Sequence, residues 1–441
     1  MPSDPVRVTD VAGVEFTLGE RIAKGAQGTV YRVVRHPDYA IKLLEREQDL
    51  KRIATVRRLP LDDLAVAAPL TLIREGGAGY VMRLAGDMKP LREQYLPREF
   101  GRGDNPAWYL RTGGLRRRLA IAANVARTLA ELHARGLAYV DLNPNNVMVS
   151  DDLQRDNTWL IDTDNLTSLS DPRSEILGFP GYLAPERNPR KASPPSTLAD
   201  AYSLGVLVFR MLVLTHPLMG FAADEMDGNE AQKAADRGEL PYIGDPLDDT
   251  NRLADGSLPA LLFELVLSGR LKELCRDTFG PGRLAPAKRP GSSRWRDVLH
   301  TALDNVVECR DGCGWTFYRS RPQCPNCGAT AGSTVLVTVY GGDLEQPLAA
   351  RDSFVLSPQM DVDLLPRHAW GRHTSDDAVV TFRPEREGFA VLSHGESRVV
   401  DASGRDVRRL PTPRAKEVVR VRLETPGLPD RVLALRSIGA A

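Results

Sequence analysis

The sequence is short of cysteine, of net charge and of uninterrupted apolar runs, and each shortage removes a class of protein. Five cysteines in 441 residues are too few for a disulfide framework. Lys plus Arg number 58 and Asp plus Glu number 58, so no global field gathers nucleic acid or an acidic membrane around the chain. The longest apolar stretch, residues 206–214, is broken by Arg210 and falls well short of the ~20 residues that a bilayer-crossing helix needs. Met1-Pro2-Ser3-Asp4-Pro5 lacks the basic and then apolar blocks of an export signal. Together these shortages predict a cytoplasmic chain with no membrane span and no nucleic-acid partner.

A hydrophobic content of 42% and a charged content of 26% are those of an ordinary globular protein. The length predicts roughly two to four domains. Residues 16–84 read as short β-rich runs broken by Gly25, Gly28, Gly76, Gly77 and Gly79, with one helix over residues 47–59. From Leu115 the period changes: Leu119, Ala122, Ala126, Leu129 and Leu132 follow at helical spacing, and Gly136 stops the helix. Residues 203–214, 258–274 and 294–306 are further helix candidates, and residues 221–253 form a polar excursion with one short helix. After residue 307 a cysteine cluster gives way to alternating β-type runs at residues 335–340, 379–382, 389–392, 418–423 and 432–435. The chain shows no internal repeat and no long low-complexity tract.

The chemistry is carried by order more than by any single motif. Ala23-Lys24-Gly25-Ala26-Gln27-Gly28-Thr29-Val30 sets two glycines in a turn between strands, where backbone N–H groups can approach phosphate oxygens. Standing alone it is a hairpin turn. Ala40-Ile41-Lys42 follows, a lysine in an apolar strand, then Glu45 and Glu47 at the start of the helix. Beyond Leu132-His133 comes Tyr139-Val140-Asp141-Leu142-Asn143-Pro144-Asn145-Asn146, which holds a carboxylate and an amide five residues apart. Phosphoryl transfer uses such a pair: the carboxylate orients the attacking hydroxyl and the amide oxygen holds a metal against the phosphates. Trp159-Leu160-Ile161-Asp162-Thr163-Asp164-Asn165 ends an apolar strand in acids. Three segments complete the series: Gly178-Phe179-Pro180-Gly181-Tyr182-Leu183-Ala184-Pro185-Glu186, Asp200-Ala201-Tyr202-Ser203-Leu204-Gly205, and Lys288-Arg289-Pro290.

This ordered set resembles a eukaryotic-like (bacterial) serine/threonine protein kinase over about two thirds of the chain. The resemblance implies an α+β, bilobal protein kinase-like fold and transfer of the γ-phosphate of Mg-ATP to a protein hydroxyl. By it, Gly25 and Gly28, with Ala23 and Val30, cover the phosphates. Lys42 positions them with Glu47 as its partner. Ala40 lines the adenine pocket with Met82 at its back, and Arg83 to Ala85 form the hinge. Asp141 orients the hydroxyl, and Asn146 and Asp162 hold magnesium, with Asp164 as a second candidate. Glu186 pairs with Arg289, and Asp200 anchors the catalytic loop. The Ala-Pro-Glu segment and the late Arg-Pro set the chain apart from small-molecule phosphotransferases of the aminoglycoside type.

The departures are local. Tyr139 and Val140 stand where the family keeps His-Arg, which implies activity independent of activation-loop phosphorylation, although Thr167, Ser168, Ser170 and Ser174 stay modifiable. Asn143 and Phe179 replace a lysine and a threonine that together contact the catalytic carboxylate. These changes motivate the alternative of a weakly active or inactive nucleotide-binding pseudokinase scaffold, against which stand Lys42, Asp141 and Asn146.

Cys309-Arg310-Asp311-Gly312-Cys313 and Cys324-Pro325-Asn326-Cys327-Gly328 make two knuckles ten residues apart, a spacing that lets four thiolates converge on a structural zinc. Trp315, Phe317 and Tyr318 form its packing surface, and Cys275 packs in the kinase core. The expected organisation is a kinase N-lobe at 10–85, a C-lobe at 86–306, a zinc ribbon at 307–331 and a small all-β domain at 332–441. For the last, Gly371-Arg372-His373-Thr374 matches the loops of a phosphopeptide-reading forkhead-associated module poorly, so an interaction or lobe-bracing role is expected. A kinase followed by such a ribbon resembles a bacterial group, some of whose members are encoded with a phosphatase and a von Willebrand A-type protein. The expected cofactors are ATP, Mg2+ and Zn2+, and the expected partners are a protein substrate and, through that group, such a phosphatase and von Willebrand A-type protein.

Overall fold

The computed structural model describes residues 6–25, 27–95, 106–170, 178–188, 193–373 and 375–438; Ala26, Ser174 and Thr374 lie outside them. Two compact units divide the chain. Unit one comprises Met1–Gly101, Ile121–Leu262 and Lys272–Arg296, and unit two comprises Arg102–Ala120, Phe263–Leu271 and Asp297–Ala441.

Unit one begins with six strands: β1 (Arg7–Asp10), β2 (Glu15–Gly25), β3 (Gly28–Val33), β4 (His36–Leu44), β5 (Pro69–Glu75) and β6 (Gly79–Arg83). They close into a barrel in the order β1-β2-β3-β4-β6-β5, because β1, which starts ahead of the expected limit at residue 10, pairs with both β2 and β5. Strand alternation turns Ile41 and Leu43 into a core with Val8, Val33, Ile73 and Val81, which leaves Ala40 and Lys42 on the other face of β4. The expected helix over 47–59 is shorter. A 3-10 turn, Glu47–Asp49, leads into the helix Leu50–Val56, whose buried residues are Ile53 and Val56.

The rest of unit one is mainly helical. Ser196 caps the helix Thr197–Val213 by accepting from the Ala199 N–H at 3.1 Å. Around it Tyr202, Phe209, Tyr242 and Phe279 meet edge-on, and Cys275 is buried beside Tyr242. The strands Met88–Pro90, Val147–Ser150 and Thr158–Leu160 form one small sheet, and Leu137–Ala138 pairs with Thr167–Ser168. These short pairings fix the loops on either side of Asp141 and Asp162. The expected helix over 258–274 is two, Leu258–Val266 and Gly269–Phe279, since Ser268 restarts the helix by accepting from the Leu271 N–H. The polar excursion likewise holds two short helices, Phe221–Asp224 and Gly228–Asp236.

Unit two pairs Val306–Glu308 with Thr316–Tyr318 and continues into a five-stranded and a four-stranded antiparallel sheet. The two sheets share one core that includes Val337, Phe354, Leu433 and Leu435 from the first and Phe382, Phe389, Val391 and Leu410 from the second. The compact units do not follow a cut at residue 306. Trp315 stacks on Tyr109 with ring centroids 5.7 Å apart, and the Tyr318 hydroxyl donates to the Val266 carbonyl at 2.8 Å. Apolar residues between two knuckles need partners from outside so short a segment, and the pieces 102–120 and 263–271 supply them.

Candidate active site

Lys42 sits on β4 opposite Val30 on one side and Tyr80 on the other. Its side chain is almost wholly buried, and its ammonium lies 2.5 Å from Asp162 Oδ1 and 2.6 Å from Asp164 Oδ2. Burial works against the charge, but Asp164 and then Asp162 outweigh it and hold the lysine above its ordinary pKa. The Tyr80 hydroxyl donates to Asp164 Oδ1 at 2.5 Å. Asp164 is fully buried, with one oxygen bonded to Lys42 and the other to Tyr80, and so anchors the lysine. Asp162 differs: its side chain is 27% exposed, and its backbone takes a left-handed φ of 58°. Next to it the Thr163 hydroxyl donates to the Ala67 carbonyl at 2.7 Å, which fixes the turn that brings both acids to Lys42.

Glu47 does not partner Lys42. It is exposed in the 3-10 turn that precedes the helix, and the helix Leu50–Val56 itself contains no acid. Its apolar spacing turns Ile53 and Val56 inward, and beside them Arg52 has its Nε buried without a hydrogen-bond partner. That helix therefore brings a cation, and the counter-charges of Lys42 come from the 162–164 segment. The tell-tale in the sequence is that pairing: no acid within Leu50–Val56, two acids within three residues at Asp162.

Asp141 is held from both sides. Asn143 Nδ2 donates to Oδ1 and Asn146 Nδ2 to Oδ2, each at 3.1 Å, and the Phe179 N–H adds a third bond. Burial, with the nearby charge of Asp162, still raises its pKa above the ordinary carboxylate value against those three donors. Asn143 thus fills the role of the missing lysine with an amide, and Phe179 contributes its backbone. Asp200 accepts from the Tyr139 and Val140 N–H groups at 2.6 and 2.9 Å and lies 3.1 Å from His133 Nε2. These bonds hold Val140 at φ 77°, a conformation that a β-branched residue adopts only under constraint. Tyr139 is buried, and its hydroxyl donates to the Ile161 carbonyl, which ties the catalytic loop to the residue before Asp162. Arg289 clasps Glu186 through two bonds of 2.6 and 2.7 Å.

The glycine turn divides its labour. A Cβ at Gly28 would lie 2.2 Å from the Leu43 carbonyl oxygen, so β4 requires a glycine there, while Gly25 and Ala23 are exposed. Gln27 bridges the turn to the site, with Nε2 donating to Asn165 Oδ1 at 3.3 Å and Oε1 lying 3.5 Å from Lys42. Val30 is half-buried, Ala40 is buried and pairs with half-buried Met82, Arg83 ends that strand and Ala85 lies just beyond it; the Leu84 N–H donates to the Asp38 carbonyl at 2.8 Å.

In unit two, Cys309 Sγ lies 3.4 Å from Cys327 Sγ and Cys313 Sγ lies 3.6 Å from Cys324 Sγ, with all four sulfurs within 4.8 Å of one another. Thiolates ~2.3 Å from one tetrahedral ion stand about 3.8 Å apart, so the four fit a metal centre. Gly312 and Gly328 turn the two knuckles at φ 69° and 75°.

A family model described as protein kinase domain matches residues 16–278, more than half of the chain, and includes Lys42, Asp141, Asn146, Asp162, Asp164, Glu186 and Asp200. A serine/threonine-protein kinase PknD of Chlamydia felis is 30% identical over 117 residues, which is 22% of this chain and 12% of the relative. A probable serine/threonine-protein kinase of Dictyostelium discoideum is 24% identical over 217 residues, 47% of this chain and 39% of the relative. A cAMP-dependent protein kinase catalytic subunit-like protein of Caenorhabditis elegans is 26% identical over 216 residues, 47% of this chain and 51% of the relative. The chain thus spans from about an eighth to about half of the length of these relatives. With the family model covering Lys42, Asp141, Asn146 and Asp162, the chain belongs to the protein kinase family.

Proposed function

We propose that this chain is a serine/threonine protein kinase that transfers the γ-phosphate of Mg-ATP to a protein hydroxyl. The observation that carries the reading is a carboxylate, Asp141, fixed by two amides and a backbone N–H, in the same unit as a buried lysine paired with a part-exposed acid. Bound Mg-ATP supplies the phosphoryl group and the metal charge. Asp141 accepts a hydrogen bond from the acceptor hydroxyl and takes its proton as the bond to phosphorus forms. Lys42 neutralises phosphate charge from a position set by Asp164 and Tyr80. Asp162 and the side-chain oxygen of Asn146 are the metal-facing groups, Gly25, Gly28, Ala23 and Val30 cover the phosphates, and Ala40, Met82, Arg83 and Ala85 receive the base. Cys309, Cys313, Cys324 and Cys327 hold a structural zinc, for which their mutual distances provide the support. The sandwich, near residues 332–441, serves as an interaction domain. The kinase-and-ribbon resemblance alone carries the bacterial grouping and the phosphatase and von Willebrand A-type partners. No helix among the described residues is long and apolar enough to cross a membrane.

The test is ADP release from Mg-ATP by the zinc-replete protein, with and without a basic protein acceptor, beside Asp141→Asn. Release should rise with acceptor and fall by roughly 10²–10⁴-fold in the variant. Equal release by both proteins would overturn the reading.

A further inference from the structure

Unit two contains a cleft of about 530 Å³, separate from the four cysteines and from the sandwich core. Its floor is apolar, from Leu267, Val298, Ala302 and Tyr318, and its walls carry Arg270, Arg319 and Arg321. Among the described residues none of the three has a carboxylate partner: Arg319 Nε donates to the Asn305 side-chain oxygen at 2.9 Å, Arg321 Nη2 donates to the Glu264 main-chain carbonyl at 2.5 Å, and Arg270 is exposed. Glu264 is the single acid among the lining residues. Burial, with Arg436 close by, depresses the pKa of Arg319. Serines 268 and 320 add hydroxyls along the same walls, while the Thr301 hydroxyl donates to the Asp297 carbonyl at 2.9 Å.

We propose that this cleft binds a ligand that joins a phosphate monoester to an apolar body, the phosphate on the arginines and the body on the Leu267–Val298 floor. The charge and shape of the cleft carry the assignment. A dianion whose three oxygens each accept from a guanidinium fork answers three unneutralised arginines better than a carboxylate does. A volume of this size also exceeds a bare phosphate ion and matches the small end of ligand pockets. Arg319 and Arg321 lie between the two cysteine knuckles, so the metal that folds the knuckles also sets the wall of the cleft.

The same phosphate monoester can arrive on a small molecule or on a modified protein segment, and the two are separable. Phenyl phosphate and a phosphoserine peptide are titrated calorimetrically into the full-length, zinc-replete protein, into Lys42→Ala, and into Arg270→Glu and Arg319→Gln. Unphosphorylated phenol and the unmodified peptide serve as controls, and zinc content and melting temperature check the fold of each variant. Binding of at least one phosphorylated probe is expected, unchanged in Lys42→Ala and weakened tenfold or more in Arg270→Glu, whose exposed side chain makes misfolding an unsuitable explanation. Tighter binding of phenyl phosphate points to a metabolite, and tighter binding of the peptide to a protein-borne phosphate. Absence of binding by both probes, binding that tracks Lys42, or an affinity that Arg270→Glu leaves within twofold would overturn the proposal.

Discussion

Asp304 with Arg367 and His368 in unit two, and Lys42 with Asp162 and Asp164 in unit one, are two buried ionic clusters that are finished differently. In unit two, Arg367 grips both oxygens of Asp304 at 2.6 and 2.7 Å, and His368 Nε2 lies 3.2 Å from Oδ2. The Leu365 N–H donates to His368 Nδ1 at 2.9 Å, so Nε2 carries the proton that faces the acid. Arg367 and then His368 hold Asp304 well below the ordinary carboxylate pKa in spite of the burial of its side chain. In unit one, Lys42 is shared between a sealed acid, Asp164, and an acid, Asp162, that keeps a quarter of its side chain in solvent. In the first cluster both carboxylate oxygens are gripped by Arg367, and the cluster holds structure together. A cluster with one open carboxylate has capacity left for a ligand, and burial of the rest keeps that carboxylate in place.

The sharpest way to break the comparison is to remove an anion from each cluster. Asp304→Asn should cost about 3–5 kcal/mol, because Arg367 is left buried without its counter-charge. Urea unfolding, followed by hydrogen exchange in peptides of unit two, reads that loss, and the double replacement of Asp304 and Arg367 by apolar residues should recover much of it. A smaller effect is expected from Tyr80→Phe, which removes one bond to the Asp164 carboxylate and should cost about 1.5–3 kcal/mol. It should also raise the KM for ATP more than it lowers kcat, since the tyrosine acts through Asp164 on Lys42, the proposed phosphate-positioning group.

Acid should separate the units as well. Burial, reinforced by Arg210, pushes His216 of unit one down to about 3. The unfolded chain then binds a proton below pH 6.5 that the folded chain refuses, so stability falls as pH drops from about 6.5 toward 3, by at most ~1.4 kcal/mol per unit. The sign for Asp304 is also loss on acidification, but its folded pKa is depressed, so its contribution is complete above the unfolded value of 3.8 and is lost only below it. Hydrogen exchange at pH 7, 5.5 and 4.5 should show peptides of unit one around residue 216 losing protection first. Equal loss in both units would contradict the contrast.

The least graded effect is expected at the cysteines. Chelation of the metal, or Cys309→Ser, should remove protection from residues 306–331 while the barrel strands β1 to β6 retain theirs. Zinc content and exchange measured on the same sample check this.

Much of unit one is legible in the sequence because its chemistry is local. Asp141 and Asn146 are five residues apart, and the loop between them folds on itself, so spacing alone reports that they meet. Glu186 and Arg289, far apart in sequence, are found because each ends a recognisable segment. The partner of Lys42 is not legible that way. Glu47 lies at a suitable distance along the chain, but helix phase is decided by which of Leu50 to Val56 turns inward, and those apolar residues leave Glu47 in solvent. Tyr80 reads as an ordinary strand residue until β6 pairs with β4 and places it opposite Lys42. The extent of unit two is hidden for the same reason. Tyr109 and Val266 carry no mark of belonging with Trp315 and Tyr318, which only packing brings together.

The most direct measurement is steady-state ADP release at saturating acceptor by Glu47→Gln and Asp164→Asn, beside the parent protein and with melting temperatures recorded. If the 162–164 segment anchors Lys42, Glu47→Gln stays within twofold of the parent, and Asp164→Asn loses at least a hundredfold in kcat/KM for ATP. A large loss in Glu47→Gln together with near-parent activity in Asp164→Asn would return the lysine to the partner that family resemblance assigns it, and would contradict the geometry described above.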